Sequence, residues 1–138
     1  MTGDVGKIRF PDRARQIKDY TGLKFERNIT PSDIDGAMDF GGELFVFLEY
    51  KMTGCQMPGG QRRFLASMCD AINTSKDAVV LVAEHNTPIG EEIDCANAAV
   101  VEFRCKWADG WHMVPESMTM NVRSAIERVY DKVFITPF

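Results

Sequence analysis

The sequence predicts an α/β chain in which a mixed β-sheet is flanked by helices, and three observations carry that expectation. Ala78–Ala83 is a continuous apolar, largely β-branched run of the kind found in a central strand covered on both faces. Segments on either side of it repeat apolar residues at helical spacing. Strand-like runs also meet at glycine-containing turns, which suits antiparallel hairpins. With 138 residues and 45% hydrophobic content, the chain has enough apolar material for a single domain over residues 1–138.

Taken in order, "FPDRARQIKDYTG" sets Phe10, Ala14, Ile17 and Tyr20 at helical spacing, with Pro11 near the start and Gly22 as a stop. A first helix is expected there. Ile34–Phe40 reads as a strand, Gly41-Gly42 as a reversal and Glu43–Lys51 as the returning strand. After the loop "MTGCQMPGG", the segment "QRRFLASMCDAINTS" places Phe64, Leu65, Met68, Cys69 and Ile72 on one stripe of a second helix. The Ala78–Ala83 strand follows. Val101, Phe103, Cys105 and Trp107 then alternate with Glu102, Arg104 and Lys106, and Ala108-Asp109-Gly110 turns toward Trp111–Val114, giving a hairpin with one wet face. Val122, Ile126, Val129, Tyr130 and Val133 mark a C-terminal helix. The expected order is α, β-hairpin, α, β, β-hairpin, α, without internal repeats.

Composition narrows the function. Sixteen Lys/Arg against twenty Asp/Glu give a net charge of −4, which argues against a protein that coats nucleic acid through bulk electrostatics. The distribution is uneven. Residues 1–27 carry seven basic and four acidic side chains, residues 28–58 one and five, residues 59–76 three and one, and residues 77–102 none and six. Local basic surfaces beside an acidic pocket are therefore expected. The first residues have no signal-like apolar core and no run approaches membrane-spanning length, so a cytoplasmic chain without membrane contact is expected. Cys55, Cys69, Cys95 and Cys105 form no CxxC pair and read as reduced apolar filler.

The chemistry concentrates in "ITPSDIDGAMDFGGELFVFLEYKMTG". In an extended strand Phe45, Phe47, Glu49 and Lys51 share one face, so a carboxylate and an ammonium emerge together beyond an apolar anchor. Asp33, Asp35 and Asp39 belong to one parity class of the preceding strand. A two-residue turn at Gly41-Gly42 would pair Asp35 with Leu48, whereas a three-residue turn, Gly41–Glu43, would pair it with Glu49 and bring two carboxylates together. Two carboxylates beside a lysine suit a hard divalent cation and a phosphodiester.

These residues resemble the PD-(D/E)xK nuclease superfamily, which includes small viral replication-repair nucleases and Holliday-junction resolvases. The likeness rests on "SDIDG", a hairpin and then "LFVFLEYK", with Asp35 fourteen positions ahead of Glu49, and spans roughly residues 10–85. It implies a restriction-endonuclease-like core of α, β-hairpin, α and β, to which the second hairpin and last helix are additions. It further implies that Asp35 and Glu49 are metal ligands with the carbonyl of Tyr50, that Lys51 is the catalytic lysine, and that Gln61 is the glutamine beside the site. The implied function is Mg²⁺- or Mn²⁺-dependent hydrolysis of DNA, with a phage or prophage origin. The proline usual before the first aspartate is absent, which leaves Asp33 as a rival ligand. Asp12, Asp19 and Glu26 are candidates for the acidic residue that several members carry on the first helix.

Arg62 and Arg63 at the opening of the second helix, with Arg13 and Arg15 in the basic N-terminal segment, are the expected DNA contacts. Trp107 and Trp111 are expected to pack across the second hairpin, His85 to be structural, and Glu91-Glu92-Asp94 to be a solvated loop. Two rival functions remain: a dimeric, structure-selective junction resolvase, and a nucleic-acid-binding or interaction module without turnover.

Overall fold

Apolar, β-branched segments separated by glycine turns build one five-stranded mixed sheet, and the structure, a computed structural model, describes it within residues 5–135. The chain divides into two units, one ending at Ser32 and the other beginning at Asp33. In the first, the helix expected over "FPDRARQIKDYTG" is reduced to a single turn, α1 (Pro11–Ala14), followed by 3-10 turns at Thr21–Leu23 and Glu26–Asn28. The reason is missing burial: Phe10 and Ile17, which should anchor the helix, are 61% and 67% exposed. Short helices are marginal without a packed face.

The second unit contains β1 (Gly36–Phe40), β2 (Leu44–Met52), α2 (Gly59–Ile72), β3 (Asp77–His85), β4 (Ala99–Cys105), β5 (Ala108–Met113) and α3 (Val122–Phe134). The strands lie in chain order across the sheet. Only β2 and β3 run parallel, joined by α2 as a crossover; the other neighbours are antiparallel. The expected mixed sheet flanked by helices is thus present.

The alternation along β2 and β3 sorts the core into two layers. Leu44, Val46, Val79 and Leu81 pack with Val122 and Ala125 of α3. Phe47, Val80 and Val82 pack with Leu65 and Cys69 of α2. Asn121 caps α3 by accepting the Ser124 N–H at 2.8 Å. No side chain caps α2. No described helix is long and apolar enough to cross a membrane.

Two details of the second hairpin differ from expectation. The reversal is at Lys106–Trp107, with Cys105 opposite Ala108. Gly110, in the expected turn, instead sits inside β5 at φ +68°, where the register with β4 shifts. A bulge exploits the same left-handed glycine that a turn does. The face expected to be wet is covered by α2: Glu102 is buried, and Arg104 donates to Asp70 of α2 at 2.9 and 2.6 Å. Trp107 and Trp111 do not pack together either. Trp111 joins the α2 layer, while Lys132 of α3 lies over Trp107. Of the cysteines only Cys69 is fully buried; Cys55 and Cys95 are exposed, so they are not core filler.

The β1–β2 reversal uses three residues, Gly41, Gly42 and Glu43, with Phe40 opposite Leu44. Gly41 and Gly42 have φ +65° and +74°. Because a Cβ at either would meet nothing within 4 Å, the cost of a side chain there is backbone strain alone. Gly42→Val should therefore lower unfolding free energy by about 1–2 kcal/mol, measured by urea denaturation. Gly42→Asn, which tolerates the left-handed region, should lose less.

Candidate active site at the open end of the first hairpin

The three-residue turn fixes the pairing left open by the sequence. Gly36 lies opposite Leu48, so the same register carried one step further sets Asp35 opposite Glu49. The ladder of β1 ends at Gly36, and the Asp35 carboxylate takes over its role by accepting the Tyr50 N–H at 2.8 Å. In an extended strand the N–H and C=O of one residue point toward the same edge. The Tyr50 carbonyl therefore opens on the side where Asp35 lies. Its phenol, on the opposite face of the sheet from Glu49, donates to the Cys95 carbonyl at 2.9 Å.

Glu49 is buried, 8% exposed, at the end of the α2 layer. One carboxylate oxygen, Oε1, accepts from Gln61 Nε2 at 2.8 Å, and the same amide donates to the Asp33 main-chain carbonyl at 3.1 Å. The other oxygen, Oε2, is buried and has no hydrogen-bond partner. Burial, then the negative charge of Asp35, push the Glu49 carboxyl up to about 7, against the lowering effect of the Gln61 bond. Asp35 is thus the carboxylate that acts on Glu49, while Asp33 meets Gln61 through its backbone.

Lys51 lies two residues along β2 on the face of Glu49. Its ammonium donates to the Cys55 carbonyl and lies 3.5 Å from Glu84 Oε2. Glu84 is opposite Lys51 in the parallel ladder, and its carboxylate also accepts the Gly54 N–H at 3.4 Å. Sequence reasoning missed Glu84. Its proximity follows from the parallel register of β2 and β3, which no local pattern encodes.

Gln61 therefore reaches the site, but Arg62 is not a free DNA contact. Its guanidinium is held in two hydrogen bonds by the carboxylate of Glu102 and lies 4.5 Å from the centroid of the Trp111 ring. A basic residue facing a buried carboxylate is pulled inward, a partner that alternation had placed on a wet face. Arg63 is exposed and makes no ion pair among the described residues. Arg13 and Arg15 are exposed in the N-terminal unit, which also holds Asp12, Asp19 and Glu26. His85 Nδ1 accepts from the Thr87 N–H at 3.1 Å. Glu91, Glu92 and Asp94 are exposed, as a solvated loop requires.

Among known proteins, no family model, no curated sequence and no solved structure matches the chain.

The raised pKa of Glu49 has a consequence for stability. The folded chain holds this proton more tightly than the unfolded chain, whose glutamate titrates near 4.5, so unfolding releases it between the two values. Without divalent metal, the Glu49 contribution should favour folding below pH 4.5 and be lost as pH rises to about 7. Glu49→Gln should remove that slope and raise stability at pH 8 by an amount of order 1–3 kcal/mol. Urea denaturation of both chains in EDTA at pH 5, 6 and 8 measures it; parallel curves would contradict it.

Proposed function

We propose that the chain is a divalent-metal-dependent nuclease that hydrolyses DNA phosphodiester bonds. The observation that supports this reading most is the orphaned, buried Oε2 of Glu49 beside Asp35, on the strand face that also carries Lys51. Two carboxylates held together in a partly dry place repel one another, and a buried oxygen without a partner is costly. A hard cation relieves both costs, and the donor set is all oxygen, as Mg²⁺ or Mn²⁺ prefers. Asp35, Glu49 and the Tyr50 carbonyl are the groups that would hold it. Such an ion supplies Lewis-acid polarisation of the phosphate and positive charge against the developing oxyanion.

The chain's own residues divide the remaining work. Gln61 fixes one oxygen of Glu49 and leaves the other directed away from the amide. Lys51 brings a compact cation to the end of β2, where it can face a non-bridging phosphate oxygen. The main-chain carbonyl of Cys55 and the carboxylate of Glu84 orient that ammonium. Arg63 offers charge for the flanking DNA backbone; Arg13 and Arg15 are the basic candidates within the N-terminal unit. The carboxylate pair and the lysine two residues on resemble the motif of PD-(D/E)xK nucleases.

Purified protein should cleave plasmid DNA with Mn²⁺ or Mg²⁺ and not in EDTA, and Mn²⁺ should raise its melting temperature. Glu49→Gln should lose both effects. A wild-type chain that gains nothing from metal, or a variant that gains as much, would overturn the reading. Cleavage by Lys51→Ala should fall roughly a hundredfold or more with its metal-induced melting shift retained, since the lysine stabilises charge on the phosphate. Lys51→Arg should rescue only partly, because a planar guanidinium is a poor substitute for a compact ammonium. Full activity in both variants would make Lys51 a bystander.

A further inference from the structure

We infer that the Arg62–Glu102 ion pair is a positioning device for the active site: it anchors the first turn of α2 to β4 and so sets where the neighbouring Gln61 amide meets Glu49. The inference rests on the nuclease reading. Glu49 and Glu102 are the only buried charged side chains among the described residues. They lie in one row across the sheet, since Glu49 is opposite Val82 in the parallel ladder and Val82 is opposite Glu102 in the antiparallel one. Val82 packs in the layer beneath α2. Two consecutive residues of that helix each take one of the two carboxylates: Gln61 takes Glu49 at 2.8 Å, and Arg62 takes Glu102 through both terminal guanidinium nitrogens, Nη1 and Nη2.

This arrangement couples the two contacts mechanically. Adjacent Cα atoms are about 3.8 Å apart, while strands two places apart in a sheet are separated by nearly 10 Å. The two side chains must therefore diverge from one point on the helix to opposite ends of the row. A rotation or slide of α2 that lengthened one contact would disturb the other. The helix start has no side-chain cap of its own, so these contacts do what a cap would do in fixing the first turn. The planar, two-point geometry of the Arg62–Glu102 pair resists rotation in a way that a lysine could not. Trp111 lies against one side of the guanidinium at 4.5 Å and restricts it further.

A bulge beside the pair turns Val101 into the same layer, next to Glu102. The β3–β4 register shifts between Val82 and Ala83, so Val101 has no partner in the ladder between Val100 and Glu102. Val100 packs in the α3 layer and Val101 in the α2 layer, while Glu102 also turns toward α2. Re-aiming a side chain is a recurrent use of bulges. The pair is only partly withdrawn from water, with the Arg62 side chain 36% exposed, so its contribution to stability is modest while its two-point geometry remains specific.

The test is a double-mutant cycle between Glu102→Gln and Gln61→Ala in the full chain, with kcat and KM measured for Mn²⁺-dependent plasmid cleavage and folding followed by melting temperature. Glu102→Gln should lower kcat about tenfold and leave KM within about twofold; in the Gln61→Ala background it should lower kcat by less than about twofold. Arg62→Lys should act in the same direction as Glu102→Gln. Equal losses in both backgrounds, or an unchanged kcat in Glu102→Gln, would overturn the inference while leaving the nuclease reading intact. A wild-type chain that neither cleaves DNA nor gains thermal stability with Mn²⁺ would overturn the nuclease reading and the inference with it. Should Glu102→Gln fail to fold, the apolar pair Arg62→Met with Glu102→Leu carries the same cycle, because it leaves no lone charge.

Discussion

Burying Glu49 and Glu102 in one row of the sheet is the constraint on which the rest of the second unit depends. Each carboxylate taken from water needs a partner, and the nearest element able to supply one is the first turn of α2. The crossover helix is thus fixed by polar contacts at its start and by the apolar contacts of Leu65 and Cys69 along its length. That division makes sense physically. Apolar packing is favourable but tolerates small rotations, whereas a bidentate ion pair is directional.

The two carboxylates differ in how completely they are satisfied. Glu102 has a full guanidinium across both oxygens, so it needs nothing more. Glu49 has one bonded oxygen and one buried oxygen without a partner, and it sits beside a second carboxylate. The first arrangement is closed; the second leaves a carboxylate oxygen without a donor. This contrast, within one sheet row and under one helix, is why the nuclease reading attaches to Glu49 rather than to acidic residues in general. Glu91, Glu92 and Asp94 are equally acidic but exposed, and water screens them.

Much of this unit was legible locally. The apolar run at Ala78–Ala83, the Gly41-Gly42 reversal and the stripes of α2 and α3 each reflect a single element's periodicity, and each occurs near its expected place. The N-terminal segment misled because its spacing is helical while its apolar residues are exposed. Periodicity states which face could be buried, not whether something buries it. Arg62 and Glu102 misled for the converse reason. Each reads as a solvated charge in its own segment, and only their meeting, forty positions apart, buries Glu102 and draws Arg62 partly inward.

By itself the sequence determined the elements of the sheet and the face shared by Glu49 and Lys51, because these follow from parity and spacing within short stretches; Asp35 and Gln61 became candidates through the resemblance to PD-(D/E)xK nucleases. Tertiary structure decided the rest. A three-residue turn set Asp35 opposite Glu49, the parallel ladder set Glu84 opposite Lys51, and the antiparallel ladder set Glu102 opposite Val82, beneath α2. One step of register reverses every side chain in a strand, so such pairings depend on how whole strands align, which local composition cannot specify.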